Sequence, residues 1–216
     1  GTGTNEITIN PANTFASTTQ YYVEIDSTAF DDSSSNSFAG ISDKTSLSFT
    51  SADVEAPTLS STSPSDDSTN IDVSSDIELT FSEAVDVETG YITIKKSSDD
   101  SEFEKIDVTS SQVTGTGTNE ITINPANTFA STTQYYVQID STAFDDSSSN
   151  SFAGISDKTS LSFTSADIVA PTLSSSSPSD DSTNVDVSSD IKLTFSESVD
   201  RESGYITIKK SSDDSE

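Results

Sequence analysis

The sequence predicts an all-β protein made of tandem β-sandwiches, and three patterns support this prediction. First, residues 1–102 recur almost unchanged at 115–216, with nine differences over the 102 aligned positions. Such an internal repeat sets the domain organisation and is considered before any local pattern. Second, apolar and polar residues alternate with a period of two, which is typical of half-buried strands, and no long helical periodicity occurs. Third, clusters of Ser, Asp, Asn, Gly and Pro separate the alternating segments, as turns do.

The repeat of 114 residues has the length of one ordinary domain. We therefore divide the chain into the C-terminal half of a repeat at 1–52, a complete repeat at 53–166, and the N-terminal half of a repeat at 167–216. Because the sequence begins and ends inside a repeat, the expected partners are neighbouring copies of the repeat arranged head to tail. Two arrangements stay open, namely a continuous array of repeats and strand donation between separate chains.

Seven short strands are predicted in the complete repeat, each with apolar residues on one face. Pro57 suits the beginning of the first strand, since proline cannot donate a hydrogen bond to a sheet. In chain order the strands are Ala56–Leu59, Asp76–Ser82 with Ile77, Leu79 and Phe81 inward, Gly90–Lys96 with Ile92 and Ile94, Phe103–Val108 with Ile106 and Val108, Glu120–Asn124 with Ile121 and Ile123, Gln134–Asp140 with Tyr135, Val137 and Ile139, and Thr159–Thr164 with Leu161 and Phe163.

Seven short strands joined by polar turns indicate an immunoglobulin-like β-sandwich in each repeat. Only 30% of the residues are hydrophobic, which is sufficient if each strand buries every second side chain. In Tyr135-Tyr136 we expect one ring in the core and the other at the surface. Lys95 and Lys96, at a strand end, are expected to protect an exposed sheet edge.

Composition excludes several classes of function. The chain has 9 Lys and Arg against 37 Asp and Glu, a net charge of −28 at pH 7, which disfavours binding to nucleic acid or to anionic lipid. It contains no Cys and no His, so thiolate or imidazole metal sites and a Ser-His-Asp triad are impossible, and we expect no enzyme. No apolar run is long enough for a membrane span.

Acidic residues accumulate where immunoglobulin-like topology would place one end of the sandwich. The linker before the first strand, the second-to-third loop and the sixth-to-seventh loop would meet there. Calcium takes six to eight oxygen ligands, and such a cluster can supply that many. Calcium is therefore the predicted ion. The alternative is that these loops are only solvated, since no EF-hand spacing occurs. The candidate ligands are Asp53, Glu83, Asp86, Asp145, Asp146, Asn150 and Asp167.

Several motifs occur in a fixed order along the repeat, and together they resemble the bacterial Ig-like repeats of very large surface proteins. Proteins of this kind include the cyanobacterial swimming-motility surface protein and repeat-in-toxin adhesins. The resemblance implies an extracellular, non-catalytic domain, often stiffened by calcium, that acts as a spacer or matrix element. The motifs are Leu79–Val85, Asn124-Pro125, Tyr135–Asp140, Asp146 with Asn150, Phe152–Gly154 and Phe163-Thr164.

The predicted function is that of a structural extracellular tandem repeat that forms or extends a surface filament, sheath or adhesin stalk, with calcium stiffening the domain ends. The alternative is an adhesive module that binds glycans or another cell surface. An exposed aromatic groove would be typical of that alternative.

Overall fold

The computed structural model describes residues 3–212, and in this range every regular element is a β-strand. No helix in the described part of the chain could cross a membrane. The chain divides into two compact units, Gly1–Asp167 and Ile168–Glu216. The strands are β1 (Gln20–Tyr22), β2 (Ser48–Thr50), β3 (Leu59–Ser63), β4 (Ser68–Ile71), β5 (Ile77–Val87), β6 (Tyr91–Lys96), β7 (Glu102–Asp107), β8 (Val113–Thr114), β9 (Thr118–Ile123), β10 (Gln134–Ile139), β11 (Phe144–Asp145), β12 (Ser162–Ser165), β13 (Leu173–Ser177) and β14 (Lys192–Phe195).

Strands β3 to β12 form two sheets within the first unit. One sheet has the order β4-β12-β10-β6-β7, and the other has the order β11-β5-β9-β8 with β3 also paired to β5. All pairings are antiparallel except the parallel pair β12–β4. The predicted fold class, an all-β immunoglobulin-like sandwich, is confirmed.

The core lies between the two sheets and consists of the alternating side chains that the sequence predicts. Ile77, Leu79 and Phe81 on β5 are at most 2% exposed, and residues on the facing sheet are buried equally well. Phe81 packs against two aromatic rings near β11, with ring centroids 5.5 Å from Phe144 and 5.2 Å from Phe152. Edge-to-face and tilted aromatic contacts of this kind add to the stabilisation from apolar burial.

Three short strands were absent from the prediction, and several predicted boundaries were wrong, most clearly those of the first and second predicted strands. Strands β4, β8 and β11 contain too few residues to show an alternating pattern, and they form because neighbouring strands offer hydrogen-bond partners. The first strand begins at Leu59 rather than Ala56. Strand β5 continues to Val87, beyond the predicted end at Ser82, because its last residues pair with β9 and β11.

Two side-chain predictions were also wrong. Tyr135 and Tyr136 are both buried, at 0% and 2% exposed. Lys158 lies over the ring of Tyr136, and the Tyr136 hydroxyl donates a hydrogen bond to Asp100 over 3.1 Å. Strand β6, which carries Lys95 and Lys96, is paired on both sides and is not a sheet edge.

The flanking segments contain the same sequence with less regular structure. In residues 3–52, β1 pairs with β2 as β10 pairs with β12, and in residues 168–212, β13 pairs with β14 as β3 pairs with β5. Residues 4–9 and 205–210 form no strand, although their counterparts are β9 and β6. Strands β9 and β6 pair mainly with strands from the other half of the repeat, so a half repeat alone cannot order them.

We predict that Phe81→Ala destabilises the complete repeat by about 3–5 kcal/mol, as expected for the loss of a buried aromatic ring that leaves a cavity. Urea unfolding of dilute protein measures this loss. The matched control is Phe195→Ala, because Phe195 is the counterpart of Phe81 in the next repeat and is only half-buried. Equal losses for both variants would contradict the described core.

Candidate metal site at the acidic domain end

Three of the seven predicted ligands converge at one end of the sandwich. Asp53, Glu83 and Asp146 each place a carboxylate oxygen within 4.8 Å of the others. Asp53 lies in the linker before β3, Glu83 on β5, and Asp146 directly after β11. Asp53 and Glu83 are half-buried and Asp146 is only 4% exposed. The linker and the sixth-to-seventh loop meet here as predicted, but Glu83, expected in the second-to-third loop, lies on β5 because that strand continues to Val87. We call these three carboxylates the junction triad.

Asp53 is attached to the preceding half repeat rather than to the complete one. Its Oδ1 accepts a hydrogen bond from the Ser17 hydroxyl over 2.9 Å and another from the Glu55 amide over 3.1 Å. The Ser17 hydroxyl oxygen also accepts from the Val54 amide over 3.0 Å. These bonds fix the start of the linker to residues 3–52, so the junction triad brings a carboxylate that is anchored to the preceding half repeat next to two carboxylates of the sandwich.

The loop after β11 holds Asp146 as an anion. Its carboxylate accepts hydrogen bonds from the Ser148 amide, the Asn150 amide and the Asn150 side-chain amide, each over 2.8 Å. Burial opposes ionisation, but the hydrogen bonds from Asn150 and Ser148 outweigh it, and the pKa of Asp146 lies below its ordinary value. Asp146 is therefore charged at neutral pH.

Local sequence alone produces this loop conformation. In the incomplete half repeat, Asp32 accepts the corresponding bonds from Ser34 and Asn36, over 2.9 and 2.8 Å for the amides and 2.9 Å for the side-chain amide. Asp32 is exposed, whereas Asp146 is buried. The loop thus positions its carboxylate without the rest of the sandwich, and the rest of the sandwich removes it from water.

Glu83 is the electrostatically unfavourable member of the junction triad. Partial desolvation, followed by repulsion from Asp146, Asp53 and Glu55, raises the pKa of Glu83 above its ordinary value. The counterpart of Glu55 is Val169, so the following linker carries one carboxylate fewer. A bound cation would lower the energy of the charged form of Glu83, because it replaces repulsion by attraction at short range.

The other four predicted ligands lie outside the junction triad. Asp86 and Asp145 face each other across the β5–β11 pairing, and an oxygen of Asp86 is 3.4 Å from the Thr116 hydroxyl. Asn150 uses its amide to orient Asp146. Asp167, the counterpart of Asp53, accepts from the Ser131 hydroxyl over 2.9 Å at the far end of the complete repeat. Whether any of the seven residues binds a metal stays a prediction.

Sequence reasoning missed the residues that hold the carboxylates in place. Ser17 and Ser131 occupy the same position in successive repeats, and so do Asp53 and Asp167, which was the available signal for this pairing. Ser148 contributes only its backbone amide, and no side-chain pattern could indicate that role.

Comparison with known proteins agrees with this architecture. A family model described as the bacterial Ig-like domain matches residues 53–165 and again 167–216. The chain belongs to the bacterial Ig-like domain family. Such domains are structural modules that commonly occur in bacterial surface proteins. A search of curated proteins found no match for this Ig-like chain.

The donor atoms of the junction triad determine which metal ions suit it. Carboxylate oxygens are hard ligands that suit calcium, and three carboxylates offer up to six of them, with water able to complete the coordination. Zinc sites in proteins rely on His and Cys, which the chain lacks. The donor atoms of the junction triad are therefore of the kind that suits a hard divalent cation rather than zinc.

We predict that Asn150→Ala raises the pKa of Asp146 and destabilises the complete repeat by about 1.5–3 kcal/mol at neutral pH, since a charged acceptor loses one hydrogen bond. Because the folded-state pKa of Asp146 lies below the ordinary value, the bond stabilises the fold fully above the ordinary value, and this stabilisation is lost as pH falls from there through the folded-state pKa. Carboxyl NMR titration and urea unfolding at several pH values measure both effects.

The matched control for this variant is Asn36→Ala, which removes the same side-chain bond in the exposed loop of the half repeat. It should leave the pKa of Asp146 and the stability of the complete repeat unchanged. A stability loss that is independent of pH, or one equal in both variants, would contradict the role assigned to Asn150.

Proposed function

We propose that the tandem Ig-like repeats of this chain serve as a structural, non-catalytic extension at a bacterial cell surface, in a filament, sheath or adhesin stalk. We further propose that calcium binds the junction triad and limits bending between successive domains. The carrying observation is that Asp53, anchored to one repeat, converges with Glu83 and Asp146 of the next.

Near-identity of the repeats supports a mechanical role, because an array of copies needs to specify only its length and stiffness. The composition is consistent with this role, since the chain has no His or Cys for common forms of catalysis and its net charge of −28 favours solubility. The resemblance to repeats of giant surface proteins supports an extracellular location, where calcium is abundant enough for weak sites to be occupied.

Electrostatics at the junction supports calcium. Without a cation, Glu83 is repelled by its acidic neighbours and partly desolvated. With calcium bound, the same three carboxylates become ligands, and the ion connects the anchored linker to β5 and to the loop after β11. The bound ion would therefore add a connection between the preceding half repeat and the complete repeat.

We predict that calcium raises the melting temperature of the chain. A site that binds only the folded state gains about 2.7 kcal/mol when the calcium concentration is one hundred times the dissociation constant. Calorimetric titration gives the dissociation constant, and thermal unfolding with calcium or with chelator gives the stabilisation. Magnesium should stabilise less, because it requires a smaller octahedral site.

Substitution of Glu83 separates this proposal from a general salt effect. Because the folded-state pKa of Glu83 is raised, its charged form costs stability as pH rises through that pKa, and Glu83→Gln should raise the melting temperature in chelator. The same variant should lose most of the calcium response. The control Glu78→Gln removes the same charge from an exposed position on β5, where the next repeat has Lys192, and should retain the response.

Absence of calcium binding by the unmodified chain at millimolar calcium, or an equal calcium response in both variants, would remove calcium from the proposal. Binding of the chain to a glycan array would instead favour the adhesive alternative.

A further inference from the structure

The complete repeat carries its few basic residues on one side of the sandwich. Residues 53–166 contain four lysines, no arginine and twenty Asp or Glu residues. Lys95 and Lys96 lie on β6 and Lys105 lies on β7, both in the sheet β4-β12-β10-β6-β7. Lys158 lies in the loop that leads into β12 of the same sheet. The described strands of the opposite sheet contain no lysine, so acidic and basic residues are distributed unequally over the two sides.

Strand alternation directs two of these lysines to the outer surface of their sheet. Lys95 follows the fully buried Ile94 on β6, so its side chain points away from the core. Lys105 precedes the buried Ile106 on β7 and points outward for the same reason. Thr93 pairs with Lys105, which places Lys95 and Lys105 diagonally across the β6–β7 pair. Diagonal neighbours of this kind lie about 7–8 Å apart.

Two tyrosine rings lie beneath lysine side chains on the same surface. The Nζ atom of Lys105 is 4.0 Å from the ring centroid of Tyr91, and that of Lys158 is 5.7 Å from the ring centroid of Tyr136. Such contacts hold an ammonium group in place without neutralising its charge. Lys158 also forms an ion pair with Asp100. We give the name lysine face to the surface formed by Tyr91, Lys95, Lys105 and Lys158.

Two ammonium groups of the lysine face are not neutralised within the chain. In residues 3–212 the ion pair of Lys158 with Asp100 is the only one, so Lys95 and Lys105 have no carboxylate partner there. This is unexpected in a domain in which carboxylates greatly outnumber lysines. Both ammonium groups can therefore accept a carboxylate from another molecule.

The opposite sheet carries a matching pair of carboxylates. Glu78 pairs with Thr122 and Thr80 pairs with Glu120, so the two glutamates lie diagonally across the β5–β9 pair. Their spacing is again about 7–8 Å, as for the two lysines. Both glutamates are exposed and form no ion pair among the residues that the structure describes. We call the outer surface formed by Glu78, Thr80, Glu120 and Thr122 the glutamate face.

A carboxylate surface suits the lysine face better than a sugar ring does. A sugar would stack on an accessible aromatic ring, but Lys105 covers Tyr91 and Tyr136 is only 2% exposed. A second copy of the chain supplies two carboxylates at the spacing of the two lysines. At physiological ionic strength the Debye length is about 8 Å, so repulsion between distant acidic loops is screened whereas ion pairs in direct contact persist.

We propose that the lysine face of one copy of this chain binds the glutamate face of a second copy, side by side. Lys95 and Lys105 then pair with Glu78 and Glu120 across the contact. Exposed ion pairs are individually weak, so a single contact forms only at high protein concentration. The following segment has Lys192 in place of Glu78 and cannot supply the same carboxylate pair, which makes the contact selective for the complete repeat. The proposal adds lateral contacts to the proposed surface array and does not depend on calcium.

Carbodiimide cross-linking in chelator locates the contact, because it joins only carboxylates and amines that touch. Unlabelled and isotope-labelled chains are mixed at physiological salt, so that peptides of mixed labelling report contacts between molecules. We expect Lys105 to be joined to Glu78 in such peptides. Both positions are unambiguous, since Phe103–Thr114 occurs once and Glu78 is replaced by Lys192 in the other copy of its segment. Absence of mixed-label cross-links from Lys105 to the glutamate face would overturn the proposal.

Charge exchange tests the same contact by sedimentation equilibrium in chelator. One variant carries Lys95→Glu and Lys105→Glu, and the other carries Glu78→Lys and Glu120→Lys. The average mass of the unmodified chain should rise above 22.8 kDa with concentration, whereas each variant alone should stay at that mass. An equimolar mixture of the two variants should associate again, because acidic faces then meet basic faces. A misfolded variant could not restore association in this way.

Matched controls make the same changes in net charge outside the two faces. One control carries Lys96→Glu and Arg201→Glu, and the other carries Glu88→Lys and Glu202→Lys. Lys96 lies opposite the buried Tyr135, and the other three residues are exposed. Both controls should associate like the unmodified chain.

Three sedimentation results would contradict the proposal, namely a monomeric unmodified chain at high concentration, undiminished association of either charge-exchanged variant alone, or a monomeric mixture. A fourth contrary result comes from polygalacturonate, a carboxylated polysaccharide. If the unmodified chain is monomeric and binds polygalacturonate, and the variant with Lys95→Glu and Lys105→Glu does not, the lysine face binds an anionic glycan instead of a second copy.

Discussion

Pairing between the two halves of the repeat is the constraint on which the rest of the structure depends. Each sheet contains strands from both halves, joined through β5–β9 in one sheet and β6–β10 in the other. The core forms between these sheets, so neither half can bury its apolar residues alone. The same hexapeptide, Tyr91–Lys96, is strand β6 in the complete repeat and forms no strand at 205–210. Long-range pairing, rather than strand propensity, decides whether this sequence is ordered.

This constraint also explains which features the sequence could predict. Strands such as β6 and β10 were predictable because the alternation of apolar and polar residues indicates which face of the strand is buried. Strand β11 was not, because its two residues are ordered by β5, which is distant in sequence. The burial of Tyr136 was missed for the same reason, since Lys158 and Asp100 reach it from other loops. Non-local contacts of this kind leave no periodic pattern in the sequence.

The candidate site was predictable to the level of one domain end and no further. Immunoglobulin-like strand order brings the linker and two loops together, which predicts an acidic cluster there. Only the three-dimensional structure distinguishes Asp53, Glu83 and Asp146 from the other candidates. Strand β5 places Glu83 beside the other two carboxylates, whereas Asp86 on the same strand is paired with Asp145 of β11. The junction triad combines local and long-range effects. Hydrogen bonds hold Asp53 and Asp146 in place, and the sandwich brings Glu83 beside them.

The most direct measurement of the central claim is hydrogen exchange in a single dilute sample of the chain. Peptides that extend to Val87 or to Arg201 distinguish β6 from the otherwise identical residues 205–210 by mass. If pairing between the halves orders the repeat, amides of Tyr91–Lys96 should exchange far more slowly than those of 205–210, because only the former lie between two partner strands. Equal protection of both segments in monomeric protein would show that each half orders itself, and would contradict the central claim.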